Sequence, residues 1–249
     1  MGSAMQAAGT RSTHDSLAKG AIAVAMKTKL EELFSAERAV RRLHAELSSE
    51  PNKPLLAAVT AATRAALAEG DTDEAALRLV RLAALLGELE GPDAVDLLID
   101  VLGGESPEAR AVAGEELENV AFERFKEVAL GIERALARLP GDSAALTELP
   151  YLLAEVGEPG CLKLLGRFLS HKSPEPVAAA IEALAELGDP AAAALLAPLE
   201  RDARQVEVDD EAGGLLVTIG ELAHEARELL GEVEETVAPP KAGKSKKKS

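Results

Sequence analysis

The 249-residue sequence has very few aromatic side chains: one tyrosine, four phenylalanines and no tryptophan, or 2% of the chain. Runs of valine, isoleucine, threonine and aromatics, the usual indication of β-strands, are missing as well. Leucine and alanine supply the core instead, and both residues favour helices. With 47% hydrophobic residues, the chain can bury a sizeable core. We therefore expect an all-α protein.

Cysteine is almost absent too. The single Cys161 excludes an internal disulfide framework and fits a reducing cytoplasm. No apolar run approaches the roughly 20 residues that a membrane span needs. Asp15 and Lys19 precede the short apolar piece AIAVAM, which is unlike a signal peptide. These features predict a cytoplasmic protein without a transmembrane segment.

Positive charge is scarce except at one end. The net charge is −16, and the last ten residues hold five lysines and no acids, so the rest of the chain carries −21. An acidic body of this kind repels nucleic acid, and no basic stripe follows the chain. The partner that the charge favours is therefore a basic protein.

The chain repeats itself. LAEVGEP at 153–159 returns as LAELGDP at 184–190, and LGELEGP at 86–92 lies 67 residues before the first of these. The same offset of 67 superposes SPEARAVAGEEL (106–117) on SPEPVAAAIEAL (173–184). Turn residues and apolar positions align together, which composition alone would not produce.

Each repeat is predicted to be a pair of helices, one after a turn that contains Gly and Pro and one after Ser-Pro-Glu. Ser106 and Ser173 are the expected N-caps of the second kind. The pairs are expected at 54–90, 92–122, 123–157, 159–188 and 190–220, with a closing helix at 222–236. The acidic stretch RQVEVDDE at 204–211 is expected to be a solvent-exposed loop within the fifth pair.

The paired units, with Gly-Asp-Pro turns and Leu/Ala cores, resemble bacterial HEAT-like repeats, including those of phycobilisome lyase subunits. The resemblance covers 54–236 and implies a right-handed α-solenoid of about five HEAT-like helix pairs. Such proteins mostly present surfaces to other macromolecules, and a minority are enzymes or cofactor-handling subunits. The remaining domains are expected to be a disordered leader (1–15), a long amphipathic helix (16–48) and a disordered lysine-rich tail (237–249).

Catalytic and metal-binding motifs are not found. The four histidines occur in no HxxxH, HxH or HExxH pattern, so no cofactor or metal is expected. His224-Glu225 is similar to one of the several His-Glu pairs that the HEAT-repeat deoxyhypusine hydroxylases need, and one pair is not enough. Cys161 aligns with Ala94 in the repeats and is predicted to be a small core residue, with a reactive thiol as the alternative.

The repeats predict a surface instead. At offsets of 36 and 31, Glu115, Tyr151 and Glu182 are equivalent positions on the second helices, which commonly line the concave side of a solenoid. Our hypothesis is an acidic ridge that binds a basic partner with Tyr151 as an aromatic anchor. The alternative is a solvated face with Tyr151 packed against the next unit. The expected partner-binding residues are Tyr151, Glu115, Glu182, Glu148, Glu155, Glu186 and Asn119.

The sequence thus favours a non-enzymatic adaptor or scaffold. One alternative is an accessory subunit of an enzyme, as the lyase resemblance allows. Another is a binder of nucleic acid or membrane surfaces through the tail, whose contact residues would be Lys241, Lys244, Lys246, Lys247 and Lys248. The helix at 16–48 is predicted either to cap the first repeat or to dimerise or dock onto a partner, which leaves the oligomeric state open.

Overall fold

The computed structural model describes the backbone of residues 7–210 and 213–237, and the side-chain surroundings of residues 24–208 and 214–231. It contains ten α-helices, a 3₁₀ turn and one β-hairpin over these residues. In chain order they are α1 (Ala7–Ser48), α2 (Asn52–Leu67), α3 (Thr72–Glu88), α4 (Pro92–Leu102), α5 (Pro107–Arg138), α6 (Ala144–Val156), α7 (Cys161–Phe168), α8 (Pro174–Leu187), α9 (Ala192–Leu196), the 3₁₀ turn (Ala197–Leu199), β1 (Gln205–Asp210), β2 (Gly213–Thr218) and α10 (Ile219–Val237).

The chain divides into two compact units after Pro51. The first contains α1, which begins at Ala7, inside the segment expected to be a disordered leader, and ends at Ser48. The five tail lysines lie outside the described residues.

The second unit is an α-solenoid built from helix pairs. The second helices form a row in which α3 packs on α5, α5 on α6, α6 on α8, and α8 on α10. The first helices α2 and α4 are also neighbours, as are α5 and α7. Each helix therefore contacts the adjacent pairs and buries its apolar stripe between them, as in other repeat proteins.

The core confirms the offset of 67 at the level of single side chains. Leu98 and Leu165 are both fully buried, and so are Leu117 and Leu184. Cys161 is buried like its counterpart Ala94. Leucine and alanine occupy most positions of the core, in keeping with the scarcity of aromatics, although Phe168 is fully buried too.

Glycines end the helices where the sequence repeats. Gly157 follows α6 with φ 61° and Gly188 follows α8 with φ 66°, both in the left-handed region that favours glycine. On the N-terminal side, Ser106 caps α5 and accepts a hydrogen bond from the amide of Ala109 at 3.3 Å. Ser173 stands at the equivalent N-cap of α8. The predicted glycine ends and the Ser106 cap are thus confirmed, whereas the Ser173 side chain makes no capping hydrogen bond.

The boundary expected between 122 and 123 lies one residue from a break in the helix, which is a kink and not a loop. The backbone of α5 is non-helical at Arg124, with φ −137° and ψ 47°, and two helical segments meet there. At the positions equivalent to Gly188 and Pro190, the chain has Ala121 and Glu123, and neither residue stops a helix. The second member of one pair is therefore joined to the first member of the next without a loop.

The fifth pair is also corrected, because residues 204–211 are not an exposed loop within two helices. Residues 205–210 form β1, which pairs antiparallel with β2, and α10 begins directly afterwards. Val206 is buried at 8% exposure, and Val208 and Val217 pack partly buried against the core. The fold is therefore nearly, not entirely, α-helical. Alternation of valine with polar residues in Gln-Val-Glu-Val-Asp was the signal for a half-buried strand.

Candidate functional site

A groove lies between the second helices α5 and α6 and reaches α8. Its volume is about 280 Å³. Leu102 and Leu152 contribute apolar surface, while the polar lining comes from glutamates and one tyrosine. We call this site the acidic groove; its lining residues are Leu102, Gly114, Glu118, Glu148, Tyr151, Leu152, Glu155 and Glu186.

Helical spacing on α6 places three of these side chains together. Glu148, Tyr151 and Glu155 stand three and four residues apart, so they share one face of the helix. The opposite stripe, which includes Leu146, Leu149 and Leu153, is fully buried. Packing of the leucines thus fixes the direction in which the polar residues face.

Tyr151 links α6 to α8. Its ring is 39% exposed, and its hydroxyl donates a hydrogen bond to Oε2 of Glu182, the equivalent position one repeat later. Burial, this hydrogen bond and the charges of Glu182, Glu148 and Glu186 all raise the pKa of the Tyr151 phenol well above its usual range. The tyrosine therefore stays neutral and is held by its hydroxyl, with part of the ring open to solvent.

Glu148 is paired with a cation that the sequence did not indicate. Nη2 of Arg110, on α5, contacts Oε1 of Glu148. The repeat offers no sign of this arginine, because its equivalent 67 residues later is Val177. Glu118, Glu148, Glu155, Glu182 and Glu186 thus surround Tyr151 with one guanidinium among five carboxylates, which leaves a strong excess of negative charge.

The α5 side of the groove differs from the expected one. Among the described residues it is formed by Gly114 and Glu118, one position before Glu115 and Asn119, which are exposed on the same helix. Gly114 and Glu118 lie 37 residues before Tyr151 and Glu155, one more than the offset of 36 that the sequence suggested. Three ion pairs also join the second and third pairs of helices: Arg110–Glu148, Arg134–Asp96 and Arg138–Asp100.

A second depression of about 720 Å³ lies beside the bend of α5, with Phe125 and Leu130 among its lining residues. Its arginines are already engaged. Arg124 donates to the carbonyl of Leu89 at 3.3 Å, and Arg134 pairs with Asp96 at 2.9 Å. These contacts hold neighbouring helices together, so this depression offers fewer free polar groups than the acidic groove.

The described part of the chain contains no group of three or more His, Cys, Asp or Glu side chains that could hold a metal ion. Burial raises the pKa of the Cys161 thiol, which lowers the thiolate fraction. In the same part of the chain, no helix is long and apolar enough to cross a membrane.

The fold defines a class: an α-solenoid of stacked helix pairs, here with a polar groove on its second helices. Residues 142–212 match the family model for HEAT repeats, so the resemblance to these repeats is confirmed there. This fold commonly mediates contacts between proteins. A search among curated proteins found no match.

Three solved structures are similar to the chain at low TM-scores. An engineered protein is 20% identical with a TM-score of 0.33, covering 79% of this chain and 90% of its own. Human deoxyhypusine hydroxylase in complex with glycerol is 16% identical with a TM-score of 0.31, covering 82% and 99%. Computationally designed armadillo repeat proteins for modular peptide recognition are 17% identical with a TM-score of 0.31, covering 78% and 92%. Likeness at this level carries no information about what this chain binds.

Proposed function

We propose that the protein is a non-enzymatic, cytoplasmic adaptor that binds a basic protein segment in the acidic groove. The observation that carries the proposal is the set of five carboxylates against one guanidinium around a partly exposed tyrosine. A lysine or arginine side chain can lay its methylene stem along Leu102 and Leu152 and bring its charge to Glu155 and Glu186.

Tyr151 is the proposed anchor. Its hydroxyl bond to Glu182 orients the ring before any partner arrives, which reduces the entropy lost on binding. The exposed part of the ring can then stack on a guanidinium or interact with an ammonium group through its π face. Tyrosine is also enriched among residues that dominate binding energy at interfaces.

The size of the groove supports a peptide side chain as its occupant. At about 280 Å³ it is slightly below the range of roughly 300–1,000 Å³ typical of sites for small molecules and cofactors. Five glutamates would in addition repel phosphate-bearing cofactors and nucleic acid. A protein segment rich in lysine or arginine is the occupant that both size and charge favour.

The test is affinity capture from native cells with four forms of the chain, followed by identification of the retained proteins. The wild type should retain a basic partner. The double variant Glu155→Lys, Glu186→Lys should lose it, because two attractions become repulsions. Tyr151→Ala should weaken retention, and Tyr151→Phe should separate the contribution of the ring from that of the hydroxyl.

Glu225→Lys is the matched control, since Glu225 is an exposed glutamate of α10 outside the groove. Thermal unfolding of every form establishes that a loss of binding does not come from a loss of folding. Equal retention by the wild type and the folded double variant would overturn the proposal. So would loss of the partner with Glu225→Lys alone.

A further inference from the structure

Among the described residues no third strand pairs with the β-hairpin, which consists of β1 and β2 alone. The N–H of Thr218 donates to Oε2 of Glu221 at 2.8 Å, and the other backbone groups of β2 that face away from β1 have no strand partner. An unpaired edge of this kind is a template for another strand. Two-stranded sheets are also marginally stable by themselves, so an added strand would strengthen this one.

Two consecutive leucines on β2 are exposed. Leu215 is 52% exposed and Leu216 is 63% exposed. Neighbouring residues on a strand point to opposite faces of the sheet. A helix packed on one face would cover only one of them, whereas a strand added at the edge would flank both. The pattern therefore fits a strand as the occupant.

Charge distinguishes the two strands. β1 contains Glu207, Asp209 and Asp210, and acidic residues protect an edge from further pairing. β2 reads Gly-Gly-Leu-Leu-Val-Thr, with neither a charge nor a proline. The carboxylate of Glu221 at the end of β2 is already held by the N–H and hydroxyl of Thr218. An uncharged, apolar strand therefore suits β2, unlike the basic segment proposed for the acidic groove.

We propose that β2 pairs antiparallel with β2 of a second copy of this chain. The two-fold axis would stand perpendicular to the sheet and place Leu216 opposite Leu216 of the second copy. On the other face, Leu215 would then lie opposite Val217 of that copy. An identical strand supplies the uncharged, apolar chemistry that the edge requires, and such an interface is self-complementary.

The arrangement also separates the acidic strands. In the resulting four-stranded sheet the two β1 strands are outermost, three strand spacings apart, or roughly 14 Å. This distance exceeds the screening length of about 8 Å at physiological ionic strength. Repulsion between the two sets of β1 carboxylates is therefore weak, and added salt strengthens the dimer by screening the net charge of −16 on each copy.

The experiment is sedimentation equilibrium of the full chain over a range of concentrations, at physiological and at high salt. We expect a monomer–dimer equilibrium that shifts toward dimer as salt is added. Leu216→Glu should raise the dissociation constant about tenfold or more, since it places like charges opposite each other. Leu229→Glu is the matched control, because Leu229 is an exposed leucine of α10 outside the hairpin and should leave the dimer intact.

A second measurement covers the case in which Leu216→Glu does not fold. Leu216→Cys should form disulfide-linked dimers under a mild oxidant, as the proposed axis brings the two thiols together, whereas Leu229→Cys should not. A monomer at every concentration and salt would overturn the proposal. A dimer that Leu216→Glu leaves unchanged, or that Leu229→Glu abolishes, would also overturn it.

Discussion

At the scale of single residues, Tyr151 has two roles that follow from its position in the repeat: it links α6 to α8, and it exposes part of an aromatic ring. The offset of 31 places it directly across from Glu182, which fixes its hydroxyl, and the same offset lets Glu186 approach the ring. A glutamate at this position, as the repeat has elsewhere, could not donate that hydrogen bond when ionised. A tyrosine at a position that is glutamate in the neighbouring repeats thus joins two helices and exposes part of an aromatic ring.

The first prediction concerns the titration of this phenol, which is the only tyrosine in the chain. An ordinary tyrosine is half ionised near pH 10. Because the pKa of Tyr151 is raised in the folded state, the native protein should show no phenolate absorbance at that pH. The contribution of Tyr151 to the free energy of unfolding is complete below the phenol pKa of the unfolded chain. It is lost as the pH rises toward the higher pKa of the folded state.

Ultraviolet titration of the native protein and of Glu182→Gln provides the comparison. The variant lacks the charge and the strongest acceptor, so its phenol should ionise at lower pH than in the wild type. Ionisation of the folded wild type near pH 10 would contradict the described surroundings of Tyr151.

The second prediction compares two glycine substitutions that should change the free energy of unfolding in opposite directions. Gly157→Ala forces a side chain into the left-handed region and should lower the free energy of unfolding by about 1–2 kcal/mol. Gly231 lies inside α10 with open space around it, so Gly231→Ala should raise that free energy by about 0.5–1 kcal/mol. Urea unfolding of both variants measures the difference, and equal signs would be inconsistent with this backbone.

At the scale of elements, the bend in α5 depends on one side chain. Arg124 donates to the carbonyls of Leu89 and Gly87, beyond the end and in the last turn of α3, and lies beside Glu127. Oε1 of Glu127 in turn accepts the amide of Gly91 at 2.8 Å. Arg124 and Glu127 thus satisfy backbone groups at the junction of α3 and α4, while the chain changes direction.

The third prediction is therefore that Arg124→Ala lowers the free energy of unfolding by about 1–3 kcal/mol, since it removes the donors to carbonyls in a partly buried junction. Lys126→Ala, two residues later and exposed, should change it by less than about 0.5 kcal/mol. Chemical denaturation checks both. If Arg124→Ala left the free energy of unfolding unchanged, the bend would be held by packing alone.

The helix ends show how much of the fold can be predicted from the sequence. The turns at Gly157 and Gly188 are predictable, because the left-handed backbone conformation favours glycine. The spacing of the repeats placed a boundary next to the kink at Arg124, but Ala121 does not indicate whether a kink or a loop joins the two segments. The hairpin was missed because its alternating pattern spans only a few residues in a chain dominated by helical periodicity.

Part of the candidate site could be predicted from the sequence. Helical spacing and repeat offsets place Tyr151 beside Glu148 and Glu182, since both rules concern positions close in the repeat. Arg110 and Glu118 were not found. Arg110 has no equivalent arginine in the repeat 67 residues later, and the groove brings α5 and α6 together at an offset one residue longer than the sequence suggested.

At the scale of the whole molecule, the net charge of −16 acts in opposite directions on the two proposed contacts. Binding of a basic segment in the acidic groove relies on attraction, which salt screens. Pairing of β2 brings two acidic bodies together, and salt reduces their repulsion. Added salt should therefore weaken the binding of the basic segment and strengthen the dimer.

The fourth prediction is that a salt series separates these associations in a single preparation. The captured basic partner should be released as salt rises, while the dimer fraction increases. Sedimentation velocity of the chain alone and with its partner measures both. Release of the partner and of the second copy over the same salt range would show that the two contacts are not independent.

The kink in α5 has a consequence for where the chain accepts new termini or an inserted domain. The pairs before and after Gly188 meet at a loop, where new termini or an inserted domain would disturb little packing. The pairs that meet at the kink have no loop between them, and an insertion there would separate two helical segments at the residue that contacts the end of α3. Circular permutation should succeed at 188–191 and fail at 122–124, so these two pairs behave as one indivisible block.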